Sequence, residues 1–441
     1  MRVLSTRFAA LVILLTLMIP ALSACGSKAA TPPTTAPVAQ ATNAPAPATA
    51  APATVAPATV APTIAATAAI TATAAITATA AITATAAITA TAAITATAAI
   101  TATAATITAP VPPSAQVKLN GAGATFPFVL YSKWFSEYNK LYPTIQINYQ
   151  SIGSGGGIKQ FTEKTVDFGA SDAPMTEAQI TAAGGAANVF HIPTVLGGVV
   201  ATYNLEGSPK LKFTGEVLAN IFLGTITKWN DPAIAKDNPD AKLSDTDIVV
   251  VHRSDGSGTT FVWTDYLSKV SPEWKKAAGA ATSVSWPVGV GGKGNDGVAG
   301  LVKQTPNAIG YVELAYAIQN KLAYGSVQNS AGTFIDPSIA SLTAAAAGTV
   351  GNLPDDLRVS ITNGDGPTSY PITSYTYILV NPNQTDAAKA QTIVAFLWWG
   401  IHDGEKFAQD LNYAPLPPEV VAKAEAKIKL ITVNGKPVFG N

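Results

Sequence analysis

Charged side chains are scarce in this 441-residue sequence: Asp, Glu, Lys and Arg make up 12% of it, about half the usual share in soluble proteins. None lies between Lys28 and Lys118, so the scarcity belongs to one segment. Residues 117–441 hold 24 basic and 27 acidic side chains, with no basic cluster. A net-negative body without a positive stripe excludes nucleic acid from the expected partners.

Cysteine is nearly absent as well: Cys25 is the only one, so no disulfide can form within the chain. A charged start, an apolar stretch and small residues predict a signal peptide for export over residues 1–24. Leu22-Ser23-Ala24-Cys25 resembles the bacterial lipobox, whose cysteine becomes the lipidated first residue of the mature protein. We therefore expect an extracytoplasmic protein held to the bacterial cell membrane by a lipid on Cys25; an unmodified structural cysteine is the alternative.

Residues 25–116 contain little besides Ala, Thr, Pro, Val and Ile. The unit Ile-Thr-Ala-Thr-Ala-Ala recurs there, with Ile at positions 70, 76, 82, 88, 94 and 100. A six-residue period does not hold Ile on one face of a helix, although it would on a strand. We interpret the segment as a disordered tether. A second membrane helix, self-associating strands and a Thr-rich adhesion stalk are the alternatives.

The sequence after Lys118 alternates short apolar strands with amphipathic helices. Strands are predicted at 145–149, 248–251 and 372–380, and helices at 126–142, 158–165, 261–267 and 387–399. This alternation predicts an α/β fold with largely parallel sheets. Because a single core usually stops growing at about 250 to 300 residues, we expect two lobes in this longer body.

Three segments rich in glycine and hydroxyl side chains, 121–127, 151–157 and 253–260, each lie between a predicted strand and a predicted helix. Such a junction presents unpaired backbone N–H groups and the positive end of a helix dipole, which together suit an anion. Three junctions make a tetrahedral oxyanion a favoured ligand. For any single Ser or Thr, helix N-capping alone is the alternative.

Four segments resemble, in order, signature segments of the phosphate-binding proteins of the PstS type, which serve the ABC phosphate importer: Gly-Ala-Gly-Ala-Thr-Phe-Pro (121–127), Ile-Gly-Ser-Gly-Gly-Gly-Ile-Lys-Gln (152–160), Val-Asp-Phe-Gly-Ala-Ser-Asp-Ala-Pro (166–174) and Arg-Ser-Asp-Gly-Ser-Gly-Thr-Thr (253–260). Further similarity spans nearly all of residues 117–441. The resemblance implies a receptor that binds inorganic phosphate outside the cytoplasm and delivers it to an ABC-type import permease.

The resemblance also implies the residues that contact phosphate. These would be Thr125, Phe126, Ser154, Asp172, Arg253, Ser257, Gly258 and Thr259. Asp255 would pair with the guanidinium of Arg253 and hold it in orientation. Hydroxyl and N–H groups would solvate the anion locally, which works at any net charge of the protein.

Asp172 is the residue that would select the anion. A carboxylate beside a dianion is unfavourable unless a proton lies between them, and hydrogen phosphate has that proton whereas sulfate does not. We therefore expect phosphate to be preferred over sulfate. Another oxyanion, sulfate or arsenate, is the alternative ligand, and capping or a surface position is the alternative for Asp172.

Motifs for catalysis, cofactors and metals are missing or incomplete. The sequence has no P-loop, and Gly-Val-Gly-Gly-Lys-Gly at 289–294 matches G-x-G-x-x-G without a convincing strand before it. Ser257 does not match the nucleophile elbow G-x-S-x-G, because Asp and Thr stand at positions 255 and 259 where that motif has glycine. His191, His252 and His402 are scattered without metal-ligand spacing. We predict a binding protein that is not an enzyme and has no cofactor or metal.

The resemblance implies a two-lobed periplasmic-binding-protein fold of type II, with the ligand cleft between lobes joined by two crossover strands. Lobe I would combine residues 117–195 with 374–441, and lobe II would be 196–373. Closure on phosphate would bring together donors from both lobes, and the permease would recognise the closed form. We expect a monomer.

Overall fold

A computed structural model describes residues 109–440. These residues belong to one compact unit, Ala99–Asn441. The signal peptide, Cys25 and most of the tether lie outside the described residues, and their interpretation stays a prediction. Among residues 109–440, no helix has the length and apolar character needed to cross a membrane.

The described part of the chain alternates strands with helices, as the α/β prediction requires. The strands are β1 (Val117–Gly123), β2 (Ile145–Ser151), β3 (Phe168–Ser171), β4 (Phe190–Tyr203), β5 (Lys212–Phe213), β6 (Val249–Arg253), β7 (Val290–Gly292), β8 (Ala308–Glu313), β9 (Ala323–Tyr324), β10 (Ser326–Gln328), β11 (Phe334–Ile335), β12 (Thr373–Val380), β13 (Asn383–Gln384), β14 (Thr432–Val433) and β15 (Lys436–Pro437). The helices are α1 (Phe128–Leu141), α2 (Ser154–Thr162), α3 (Glu177–Ala182), α4 (Gly215–Leu223), α5 (Pro232–Ala235), α6 (Gly258–Val270), α7 (Pro272–Ala277), α8 (Gly294–Gln304), α9 (Leu314–Gln319), α10 (Ile339–Ala347), α11 (Ala387–Gly400), α12 (Lys406–Asp410) and α13 (Pro418–Lys429).

The main sheet has the strand order β2-β1-β3-β12-β4-β8-β6-β7, with β9 also paired to β4. Its two ends are parallel, since β1 pairs in parallel with β2 and β3, and β6 with β7 and β8. The middle is antiparallel, because β12 opposes β3 and β4, and β4 opposes β8. The prediction of largely parallel sheets is therefore correct for the ends and wrong for the middle, where long strands join the two halves.

The strand β4 joins the two halves of this sheet. Residues 190–198 pair with β12, and residues 199–203 pair with β8. Every residue of β4 after Phe190 is buried. The predicted lobe boundaries fall within β4 and β12, at Val195 and Ser374; the division into two lobes stays a prediction.

Each half of the sheet supports its own aromatic cluster. Trp134 and Tyr138 of α1 are buried against Phe396 and Trp399 of α11. In the other half the rings of Trp263 and Tyr311 stack at a centroid distance of 5.1 Å, with Phe222 and Trp286 beside them. Burying such large rings supplies much of the hydrophobic stabilisation of each half and fixes the helices against the strands.

Two helices begin earlier than their sequence pattern predicts. The helix predicted at 158–165 is α2, which starts at Ser154 and contains three glycines in its first turn. A side-chain Cβ at Gly157 would lie 2.5 Å from Gly123 Cα, so only glycine lets α2 approach β1 this closely. Likewise α6 starts at Gly258 rather than 261. These early starts place the glycine junctions inside the first helical turns.

Candidate functional site

The structure brings the predicted ligand-contact residues together at the ends of strands. Thr125 follows β1, Ser154 opens α2 after β2, Asp172 follows β3 and Arg253 ends β6. Because β1, β2 and β3 are parallel neighbours, the loops that follow them meet at one edge of the sheet. The strand β6 lies in the other half of the sheet and runs in the opposite direction, so the loop that follows it reaches the site from the opposite side. All eight predicted contacts are buried, and they are Thr125, Phe126, Ser154, Asp172, Arg253, Ser257, Gly258 and Thr259.

Segments from the two halves of the main sheet touch at this site. The N–H of Gly155 donates to the carbonyl of Gly256 at 2.8 Å. A Cβ at Gly258 would overlap both Asp172 Oδ2 and Ser154 Oγ. The starts of α2 and α6 therefore face each other across a narrow space bordered by the Asp172 carboxylate.

Asp172 is almost fully buried and is surrounded by hydroxyls. Thr376 Oγ1 donates to Asp172 Oδ1 at 2.8 Å, and Asp172 N donates to Ser154 Oγ at 3.2 Å. Burial raises the pKa of Asp172 to about 7, although the Thr376 hydrogen bond, the Arg253 charge and the Ser154 hydroxyl act in the opposite direction. Near neutral pH the carboxyl is therefore present in both its protonated and its ionised form, and the ionised form can accept a hydrogen bond from a protonated anion.

Arg253 is the buried positive charge of the site, with a side chain only 1% exposed. Its Nε and Nη2 atoms donate to the two carboxylate oxygens of Asp255 at 2.8 and 2.6 Å. Burial alone would raise the pKa of Asp255, but the hydrogen bonds and charge of Arg253 and the Gly294 N–H outweigh it and lower the pKa. This bidentate pair fixes the guanidinium plane and leaves Nη1 to donate to Thr259 Oγ1 at 3.3 Å.

Backbone donors complete the site. Within the described residues, the N–H groups of Phe126, Ser154, Gly258 and Thr259 have no hydrogen-bond acceptor in the protein. Buried backbone N–H groups are rarely left unpaired, so four in one place indicate a ligand that accepts hydrogen bonds. Ser257 has the capping role that the sequence left open, because its Oγ accepts from Thr260 N at 3.0 Å.

Two residues of the site were not identified from the sequence. Asn295 is fully buried and donates through Nδ2 to Thr125 Oγ1 at 2.7 Å and to Thr259 Oγ1 at 3.1 Å. It lies in the first turn of α8, which forms a fourth strand–glycine–helix junction with the short strand β7. That glycine pattern could have identified Asn295 from the sequence. No sequence pattern distinguishes Thr376, because every residue of its strand β12 is buried.

The three histidines do not form a metal centre. In the described part of the chain, no three His, Cys, Asp or Glu side chains are grouped as metal ligands. His191 instead accepts a hydrogen bond from Met175 N at 3.1 Å, and burial lowers its pKa to about 3. It is a neutral structural residue.

The fold and the site together define a class of protein: an α/β binding protein with crossover strands and an anion-accepting cleft. Residues 96–399 match the family model of the PBP superfamily domain. The phosphate-binding protein PstS of Xylella fastidiosa (strain 9a5c) is 49% identical over 321 residues, which are 71% of this chain and 87% of that protein. PstS of Pasteurella multocida (strain Pm70) is also 49% identical, over 70% of this chain and 90% of that protein. The chain therefore belongs to the PstS family of phosphate-binding proteins, within the PBP superfamily.

Solved structures agree with this fold. A high-affinity periplasmic phosphate-binding protein (PfluDING) bound with phosphate has a TM-score of 0.57 at 20% identity, over 74% of this chain and 97% of its own. A phosphate-binding protein from Stenotrophomonas maltophilia has a TM-score of 0.55 at 18% identity, over 73% and 96%. The predicted type II periplasmic-binding-protein fold is confirmed. Membership of the family also confirms a binding receptor rather than an enzyme.

Proposed function

We propose that this protein is an extracytoplasmic receptor that binds inorganic phosphate and delivers it to an ABC-type import permease. The observation that carries the proposal is the set of unpaired, buried N–H groups at the starts of α2 and α6, beside one arginine and one carboxyl. Donors alone would suit any anion, and Asp172 adds the acceptor that a protonated anion requires. PstS relatives at 49% identity support phosphate as the ligand and the transporter as the partner.

Each residue has a distinct role in this proposal. Thr125 and Ser154 donate from their hydroxyls, and Phe126 and Ser154 from their N–H groups. Arg253 supplies the formal charge, held by Asp255, and Asp172 accepts a hydrogen bond from the protonated oxygen of hydrogen phosphate. From the start of α6 the remaining donors are Ser257, Gly258 and Thr259.

The proposed cleft lies between lobe I (117–195 with 374–441) and lobe II (196–373). The Gly155–Gly256 hydrogen bond spans these lobes and supports a form in which both donor sets face one ligand. Phosphate would stabilise that form, because only closure gives it all its hydrogen bonds. We further propose that the receptor is a monomer, attached to the membrane by a lipid on Cys25 and by the tether at 25–116.

Calorimetric titration of the purified protein tests the function. Phosphate is expected to bind saturably at one site, and arsenate, which also keeps a proton, is expected to compete, whereas sulfate is not. Arg253→Met should abolish phosphate binding, because the anion loses its only buried counter-charge. The matched control is Lys269→Met, which removes a cation that pairs with Asp265 of the same helix, outside the site and within lobe II.

Two results of this titration would contradict the proposal. A wild-type protein that binds no phosphate would refute the receptor function. Equal affinity for sulfate would leave an anion receptor but refute the role given to Asp172.

A further inference from the structure

We propose that Asn295 is a positioning residue that fixes the hydroxyls of Thr125 and Thr259 as hydrogen-bond donors toward the ligand. The inference rests on the proposed phosphate-binding function and assigns a role to a residue outside the predicted contact set. Asn295 would then help to determine the orientation of the bound anion.

The amide of Asn295 has one orientation that its neighbours allow. Its Oδ1 accepts from the backbone N–H of Glu313 at 2.9 Å. A backbone N–H can only donate, so the other side of the amide must be the NH2 group. That group meets Thr125 Oγ1 at 2.7 Å and Thr259 Oγ1 at 3.1 Å, and Asn295 N meets Thr125 Oγ1 at 3.2 Å.

The two threonine hydroxyls therefore act as acceptors toward the protein. Thr125 Oγ1 accepts from two N–H groups of Asn295, and Thr259 Oγ1 accepts from Asn295 and from Arg253 Nη1. A hydroxyl has two acceptor positions and one proton, so each proton must point to another acceptor. The acceptor supplied by the proposed function is an oxygen of the bound anion.

This polarity orients the anion. An oxygen between Thr125 and Thr259 meets donors and has to be unprotonated, whereas an oxygen beside the ionised Asp172 carboxylate has to carry a proton. These opposite requirements at two positions of one site exclude the reversed orientation, because it would place donor against donor and acceptor against acceptor. Asn295 thus sets the donor requirement at one position, and Asp172 sets the acceptor requirement at the other.

The contact also spans the proposed cleft, since Thr125 belongs to lobe I and Asn295 to lobe II. Tyr316, also in lobe II, adds a hydrogen bond from its hydroxyl to the carbonyl of Thr125 at 2.6 Å. Separation of the lobes would break both contacts and leave the Thr125 hydroxyl free to rotate. The donor polarity at Thr125 is accordingly a property of the closed form.

A double-mutant cycle on phosphate affinity tests the proposal. Thr125→Val is expected to weaken phosphate binding about 10- to 100-fold in the wild-type background, the usual cost of one hydrogen bond to a charged group. In an Asn295→Ala background the same substitution should cost less than about threefold, because the unheld hydroxyl no longer donates effectively. Equal cost in both backgrounds would overturn the proposal and leave Asn295 a structural residue.

Two further measurements keep the cycle interpretable. Asn295→Asp has nearly the same shape, so it supplies the second background if Asn295→Ala does not fold, and thermal melts without phosphate report folding of each variant. Asn238→Ala is the matched control: this buried asparagine also donates twice, to Lys212 O and Ile234 O, outside the site. It should lower the melting temperature and leave phosphate affinity unchanged. Phosphate binding by the wild type separates failure of this inference from failure of the proposed function.

Discussion

At the scale of single residues, Asp172 has an environment unlike that of an ordinary aspartate. It is 1% exposed, and the positive charge that favours its ionised form, Arg253, is already paired with Asp255. The hydroxyls around it stabilise the ionised form less than burial destabilises it, and the net result is a raised pKa. The ionised carboxylate is thus poorly stabilised by the protein alone, so a hydrogen bond from the proton of a protonated anion would stabilise it in the closed site.

The raised pKa predicts how stability without phosphate depends on pH. Because the folded-state pKa of Asp172 is about 7 and the ordinary value is 3.8, folding favours the neutral carboxyl. Its contribution to stability is therefore complete below the ordinary pKa and is lost as pH rises toward the folded pKa. Relative to Asp172→Asn, the wild type should lose about 2 to 3 kcal/mol of unfolding free energy between about pH 5 and about pH 8. Parallel urea unfolding curves at the two pH values measure this, and an unchanged difference would contradict it.

At the scale of elements, the anion site is made of helix starts, and the sequence predicted their existence better than their limits. The glycines at 155–157 and at 258 were predicted to lie in junctions before the helices, but in the fold they belong to α2 and α6 themselves. Close packing against β1 and the opposite segment excludes a side chain at these positions. The pairing of Thr376 with Asp172 could not be predicted at all. These residues are 204 positions apart, and no local pattern in β12 indicates which residue opposes β3.

Gly258 gives a direct test of how closely α2 and α6 must approach. A Cβ on Gly258 would overlap Asp172 Oδ2 and Ser154 Oγ, so Gly258→Ala should hold the two segments apart and weaken phosphate binding at least about 100-fold. Gly300→Ala is the control, because it lies in α8 with no atom within 4 Å of the new Cβ. The control should keep its phosphate affinity and gain up to about 1 kcal/mol of stability from helix propensity. Equal affinity of both variants for phosphate would refute the close approach.

At the scale of the whole molecule, the tether and the folded body differ in charge. Residues 29–117 have no charged side chains, whereas the folded body has charges of both signs and a negative net charge, which is compatible with an anion receptor. The receptor does not need bulk positive charge, because backbone dipoles, hydroxyls and one buried arginine act over a few ångströms. The two-lobe prediction followed from length and family resemblance, but the antiparallel crossover pairing of β4 and β12 depends on contacts between segments far apart in sequence.

The anchoring proposal makes the last prediction, since it concerns the whole chain. Cys25→Ala should move the protein from the membrane fraction to the soluble extracytoplasmic fraction, because the lipid would have no attachment site. Deletion of residues 63–106 should leave it in the membrane fraction, because the spacer supplies reach and not attachment. Phosphate affinity should be unchanged in both. Membrane retention of Cys25→Ala after removal of the signal peptide, or release by the deletion, would instead favour a membrane-binding role for the Ile-Thr-Ala repeats, whose Ile content offers at most about −0.6 kcal/mol per residue for insertion.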